Sequence, residues 1–427
     1  MKNINAFFKL CQIKKGVTIS KMATHLSLDK GYLSRTFNNK NQLRKERNIH
    51  KICSFFDLDM NTVFQTDPQF EHLCAEFKRA FFFCHPQVHH LYHLILSYQK
   101  QYEWKSPYHI DILLIKLMYE VEVNHYLPPF IDYICRIMPS LCEPDQAVLA
   151  TYFMLIDVQF PGFSYEKEIN FFKLGLEMSD PHGQIRARLY YFGLSYFRKH
   201  NQPKRTRKCY LLALELFERS QNTVMLEKLF MKYSALLRAY GSFEKAAQND
   251  LLLIDKFERQ HLQLRNLEIL YNNLAWTFSL LHDYQQAIHY YEKAIVTLKD
   301  NEIYFNLAFC YYKIGDKIQA LHYIDLGKSA KSYSEYVFLL LEWLEAMIQK
   351  RYSKKSYMLL LKIQKSYFDD LESIMQDTIA LEIVNYLYFT EQYEQALHAC
   401  KPLLNKRIDS PTQLIIKDMP RSKSIDS

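Results

Sequence analysis

One stretch of this chain repeats itself after 33 residues. Tyr271, Leu274-Ala275, Phe278, Asp283-Tyr284, Ala287, Tyr291 and Ala294 are answered by Tyr304, Leu307-Ala308, Tyr311, Gly315-Asp316, Ala320, Ile324 and Gly327. Small residues recur where two helices must cross, and large apolar residues recur around them. A unit of this length is one pair of helices. It leaves an apolar face that only the next pair covers, so the pattern demands a stacked array. Weaker copies flank the two clear ones: Leu189, Gly193, Tyr196, Tyr210 and Ala213; then Tyr233-Ser234, Leu237, Phe243 and Ala246; and near the end Val384, Leu387, Tyr393 and Ala396. The stretches 70–100, 106–138, 144–179 and 335–370 have helix-pair length but match the pattern poorly.

This spacing resembles the tetratricopeptide repeat. The resemblance implies an all-α fold and a right-handed superhelix, with the first helix of each pair on the concave side. Composition agrees. Only 9 Gly and 13 Pro occur in 427 residues, too few for a turn-rich β or α/β chain, while 32 Tyr and 29 Phe suit large side chains locked between helices. Counting from each crossing residue turns Arg198, Arg238, Asn272, Trp276, Phe309, Lys313, Asn385 and Tyr388 into the groove. Asn amides on successive turns can hold an extended peptide by its backbone, and Arg can hold a carboxylate.

The first 66 residues are of another kind. They hold 12 Lys/Arg against 4 Asp/Glu, a surplus of eight that equals the whole chain's net charge of +8, so the remainder is neutral. A basic head on a neutral body is the electrostatic footprint of a nucleic-acid binder with a second function. Apolar periodicity predicts five short helices. Ile4, Phe7, Phe8, Leu10 and Cys11 mark the first. Thr18 caps a second carrying Met22, Ala23 and Leu26. After the break Ser27-Leu28-Asp29, Asp29 caps a third with Leu33 and Phe37 inward. Ile49 to Phe56 and Met60 to Phe64 supply the last two.

This head resembles the phage-repressor helix-turn-helix. Met22-Ala23 stands for its Leu-Ala, Leu28-Asp29 for its Val-Ser turn and cap, and Leu33-Ser34-Arg35 for its Ile-Ser-Arg. Departures are Ser27 in place of the turn Gly, Ile19 in place of a Gln that often touches DNA, and Phe37 in place of a Glu. Asn39 stands where a Gly often ends the helix. The resemblance implies that the third helix enters the major groove of double-stranded DNA. Lys30, Gly31, Tyr32, Ser34, Arg35 and Asn38 then lie on the exposed face, with Arg35 suited to guanine, Asn38 to adenine and Tyr32 to a thymine methyl or a phosphate. Lys21, Lys40, Arg44 and Lys45 are the expected phosphate contacts.

Asp67-Pro68 interrupts the pattern and divides the chain into a head at 1–66, a linker at 67–75, a repeat domain at 76–405 and a polar tail at 406–427, with Leu414 to Ile416 free to dock. The 9 cysteines are scattered with no CxxC, as befits small buried hydrophobes in a reducing compartment. No signal-peptide or membrane-spanning run is found, so a cytoplasmic protein is expected. No P-loop, GxGxxG, HExxH or GxSxG occurs, and no enzyme, cofactor or metal is expected. His85, His89 and His93 have metal-compatible spacing but read as the start of an amphipathic helix.

Head and array together resemble the peptide-pheromone receptors of Gram-positive bacteria and their phages, the Rap/Rgg/NprR/PlcR/PrgX group. The resemblance implies a transcriptional regulator acting as a homodimer, with a short signalling peptide in the groove that alters the spacing of the two heads. The alternative within that group is an adaptor that sequesters a signalling partner protein.

Overall fold

The computed structural model describes residues 3–39, 45–160, 162–163, 183–200, 202–259, 264–330, 334–367, 371 and 373–404. Within them every regular element is helical and no strand occurs, which is the all-α array that the repeat demands. The chain divides into two compact units, 1–229 and 230–427.

The first unit opens with the five head helices: α1 (Ile4–Lys14), α2 (Ile19–Leu26), α3 (Lys30–Phe37), α4 (Glu46–Phe55) and α5 (Met60–Phe64). Thr18 and Asp29 cap α2 and α3 as expected, and Asp59 caps α5. Thr18 Oγ1 accepts from Lys21 N at 3.2 Å, Asp29 Oδ1 from Tyr32 N at 2.6 Å, and Asp59 Oδ2 from Thr62 N at 2.8 Å. Each satisfies a donor that the first helical turn leaves orphaned. Then come α6 (Pro68–Phe82), α7 (Val88–Ser97), α8 (Gln99–Tyr102), α9 (Tyr108–Glu122), α10 (Ile131–Ile137), a 3₁₀ turn (Met138–Ser140), α11 (Glu143–Gln159), α12 (Gln184–Lys199) and α13 (Pro203–Arg219).

The expected linker at 67–75 is not one. Asp67 caps α6 by accepting from Phe70 N at 2.9 Å, and Pro68 occupies the first turn, where its missing N–H costs nothing. Phe70 is fully buried among Tyr98, Tyr102 and Tyr108. The Asp-Pro pair that reads as a break is therefore a helix start. Deeper in this unit, the buried Arg188 of α12 pairs with Glu122 of α9 and donates to Phe81 O at the end of α6 at 2.7 Å.

α14 (Thr223–Ala239) leads into the second unit, which holds α15 (Phe243–Arg259), α16 (Leu264–Leu280), α17 (Tyr284–Ala294), α18 (Asn301–Lys313), α19 (Lys317–Ser329), α20 (Glu335–Gln349), α21 (Lys354–Tyr367), α22 (Ser373–Phe389) and α23 (Tyr393–Leu404). From α16 onward these pack as sequential pairs, and α18 also meets α20. Asp283 and Asp316, 33 residues apart, cap α17 and α19 in the same way. The small repeat positions sit at the crossings: Ala275, Ala287, Ala294, Ala308 and Ala320 are fully buried. At Gly327 a Cβ would lie 3.0 Å from Leu341 Cδ1 and 3.1 Å from Tyr304 Cβ, so glycine sets how closely the helices approach.

Candidate functional site

The first candidate site is the outer face of α3. Leu33 and Phe37 are buried and hold the helix on the head's core, while Lys30 and Arg35 are exposed and Gly31, Ser34 and Asn38 are half-buried. Arg35 Nη2 lies 3.9 Å from Asp29 Oδ1, a loose pair in which the Arg35 side chain is 56% exposed. A Cβ at Gly31 would stand 3.1 Å from Arg35 Nη1, so the glycine leaves room for Arg35 to fold back over the helix start. Tyr32 departs from the simple expectation. Its hydroxyl is buried without a hydrogen-bond partner, and reaching a phosphate through it requires the ring to turn outward. Lys21 on α2 and Lys45 at the start of α4 are exposed. Lys40 and Arg44 lie outside the described residues, as does the tail at 406–427 with Leu414 to Ile416. One feature that sequence reasoning missed is a basic cup formed by His25, Arg47, His50 and Lys51, with no carboxylate in its lining. Its charges were countable, but only folding gathers α2 and α4 around it.

The head does not hang free. Asn3, just before α1, accepts from Cys142 N at 2.9 Å and donates to Asp145 Oδ2 at 2.6 Å. Lys78 of α6 reaches the other oxygen of Asp145 at 3.2 Å. Burial raises the Asp145 carboxyl, but Lys78, Asn3 and Cys142 outweigh it and hold it below the usual range. At the far end of α3, Ser140 Oγ donates to Phe37 O, and Asn39 Nδ2 donates to Leu141 O at 3.0 Å. Asn39 takes the left-handed conformation expected of a helix end, with φ 54°, which aims its side chain at this seam. Lys14 of α1 stands 3.6 Å above the Trp104 ring.

The second candidate site is the row of first helices in the second unit. Arg238 does not join it. Its Nη1 donates to Asp250 Oδ2 at 2.9 Å and to Thr277 Oγ1 at 3.1 Å, and the residue is 7% exposed. Its charge is consumed by a buried pair between neighbouring helices, which corrects its expected place in the groove. Asn272 and Trp276 of α16 are half-buried, and Asn272 Oδ1 is a buried acceptor without a partner. Phe309 packs between Phe305 and Trp343, and Lys313 is exposed with its ammonium 5.2 Å from the Phe309 ring. Asn385 is half-buried beside Glu382, to which it hydrogen-bonds. Tyr388 is exposed and rests on Phe389 and Tyr393. Arg198 belongs to the first unit, exposed at the end of α12. Sequence register missed Trp343, Glu382 and Arg351, which lie beside the residues it named.

Of the three histidines with metal-compatible spacing, His85 precedes α7, and its Nδ1 accepts from Gln87 N at 3.3 Å, while His89 Nδ1 meets the Tyr119 hydroxyl. Among the described residues no group of three candidate metal ligands comes together. No helix among them is long and apolar enough to cross a membrane.

No family model and no curated relative matches the chain. Solved structures do. The apo form of RapI is 12% identical with a TM-score of 0.59, covering 80% of this chain and 99% of that one. A Rap protein complexed with competence and sporulation factor is 13% identical with a TM-score of 0.57, covering 79% and 98%. Aspartyl phosphate phosphatase F from Bacillus subtilis is 16% identical with a TM-score of 0.52, covering 81% and 96%. The chain has the fold of the Rap proteins. That likeness corrects the expectation that the chain is no enzyme. A neighbour in this fold bears the name of a phosphatase, so missing P-loop and HExxH motifs exclude those active sites and not catalysis.

Proposed function

We propose that this chain is a transcriptional regulator that binds double-stranded DNA through its head and is controlled by a short signalling peptide held on the first-helix face of its repeats. The observation that carries the reading is the exposed outer face of α3, where Lys30 in the first turn and Arg35 in the last face outward on the most basic part of the chain. In this reading Lys30, Gly31, Ser34, Arg35 and Asn38 meet base edges, and Lys21, Lys40, Arg44 and Lys45 meet phosphates. The protein acts in the cytoplasm as a homodimer on a pseudo-palindromic site, as the Rgg, NprR, PlcR and PrgX resemblance implies. The peptide half is supported by the Rap neighbour solved with competence and sporulation factor. A peptide shifts such a system only if its affinity differs between two arrangements of the heads.

The test is fluorescence anisotropy against fragments of the gene's own upstream region at two salt concentrations. One fragment should bind tightly, more weakly at higher salt, and Arg35→Ala should cost about 1–3 kcal/mol on that fragment. Weak binding that is equal on all fragments and indifferent to Arg35→Ala would count against it.

A second reading is a module acting on a signalling partner protein, favoured by the neighbour named an aspartyl phosphate phosphatase. A Lys30→Ala, Arg35→Ala variant that loses DNA binding but keeps its effect in cells would select this reading.

A further inference from the structure

The basic cup on the head is an open hollow of about 520 Å³ between the end of α2 and one face of α4. Arg47, His50, Lys51 and Ser54 share that face, since 47 and 51, like 50 and 54, stand four residues apart on α4. From the other side come His25 and Ser27. The His25 ring meets Phe55 of α4 edge-on at 5.1 Å, which fixes its direction. Lys51 Nζ donates to Leu26 O at 2.7 Å, so it fastens α4 to α2 and sits where the helix dipole favours a cation. Nothing neutralises this surface. The first 66 residues hold four acids, and none lines the cup. Asp57 is paired with Lys15 at 3.2 Å, Asp29 and Asp59 cap α3 and α5, and Glu46 precedes Arg47 outside the lining. Among the described residues no hydrogen bond or ion pair engages His25, Arg47 or His50, and all three are exposed. A concave surface of one sign concentrates counter-ions.

We propose that this cup is a phosphate site, separate from the outer face of α3, in which Arg47, His50, His25 and Lys51 surround one phosphate group. Phosphate suits it better than a carboxylate because the donors outnumber what two oxygens accept. The Arg47 guanidinium matches a pair of phosphate oxygens, and each imidazole offers an N–H in either protonation state. Lys51 keeps two N–H bonds beyond the one given to Leu26 O, and the Ser27 and Ser54 hydroxyls add donors. The hollow has room beyond the phosphate for the rest of the molecule that carries it. A free phosphate compound and a DNA backbone present this same chemistry, and the first of them needs no reading of DNA by α3.

The test is equilibrium dialysis of the full chain against labelled orthophosphate, with the ionic strength held by chloride. Orthophosphate should bind saturably, and a variant carrying Arg47→Ala and His50→Ala should weaken it by about ten-fold, the loss expected of charged hydrogen bonds. Its melting curve should not move, because both side chains are exposed and make no bond in the fold. A Lys30→Ala, Arg35→Ala variant should bind orthophosphate as the parent does. Each variant is then titrated with duplex fragments of the gene's own upstream region. Orthophosphate binding that only the cup variant loses, with DNA affinity unmoved, supports a seat for a free phosphate compound. A cup variant that weakens every fragment alike and flattens the salt dependence by about one per cation removed supports a backbone phosphate. Orthophosphate and DNA binding both indifferent to the cup variant overturn the site. Absence of any DNA binding beside an intact orthophosphate arm removes the α3 reading and supports the cup alone.

Discussion

His109 of α9 is 3% exposed, and neither of its ring nitrogens has a hydrogen-bond partner. Its ring lies 4.7 Å from that of Trp104, the same ring over which Lys14 of the head is poised. Burial, then Lys14 and Lys116, depress its pKa from 6.5 to about 4. Above pH 6.5 the imidazole is neutral in the folded and unfolded chains alike, and its apolar packing contributes fully. Between pH 6.5 and 4 the unfolded chain takes up a proton that the folded chain refuses. Stability should therefore fall by about 1.4 kcal/mol per pH unit and level off below the folded value, roughly 3 kcal/mol in all. His109→Phe keeps a ring against Trp104 and should flatten urea midpoints across that window; an unchanged slope would remove His109 from the account.

At the scale of helices, the legible part of the fold is what a crossing or a cap imposes on a residue type. Gly193 is an instance. α12 passes so close to α13 that a Cβ there would stand 2.8 Å from Cys209 Sγ and 3.4 Å from Met154 Cε. Gly193→Ala gains about 1 kcal/mol of helix propensity but overpacks the crossing by about 1–3 kcal/mol. The single change should lower stability, and Cys209→Ala added to it should restore part of the loss. Strictly additive effects in that double-mutant cycle would mean the two helices have room to spare. Thr18, Asp29 and the alanines of the clear repeats were readable for the same reason: each answers a local demand. Asp67-Pro68 was misread because one dipeptide serves equally as a break and as a helix start. Arg238 was misplaced because its partner Asp250 stands on the next helix, where no register count looks. The Asn3–Asp145 bond joins residues 142 apart, and nothing local announces it.

That bond bears on the first unit as a whole. A head on a flexible linker can be cut away without harm to the body, and an activity test on the remaining array is then simple to interpret. The geometry argues otherwise. α1 packs on α9, on α10 and on the 3₁₀ turn, and α6 runs on directly from the head with Phe70 fully buried. Removing residues 1–66 strips Asp145 of the Asn3 donor, leaves Leu141 O without Asn39, uncovers the Trp104 face and bares the apolar side of α10. A buried carboxylate left with Lys78 and the weak Cys142 thiol donor, and newly wetted apolar surface, both act in the destabilising direction. A chain of residues 67–427 should therefore melt at a lower temperature in its first transition, by about 5 °C or more, since 1 kcal/mol shifts the midpoint by about 2–4 °C at this size. It should also bind a hydrophobic dye that the full chain does not. Calorimetry decides it: a body transition at the same temperature with and without the head would mean that the seam at Asn3, Asn39 and Ser140 is a weak contact and the head an independent bead. With the seam intact, the orientation of α3 is tied to α9 to α11, and any event that turns those helices turns the outer face of α3 with them.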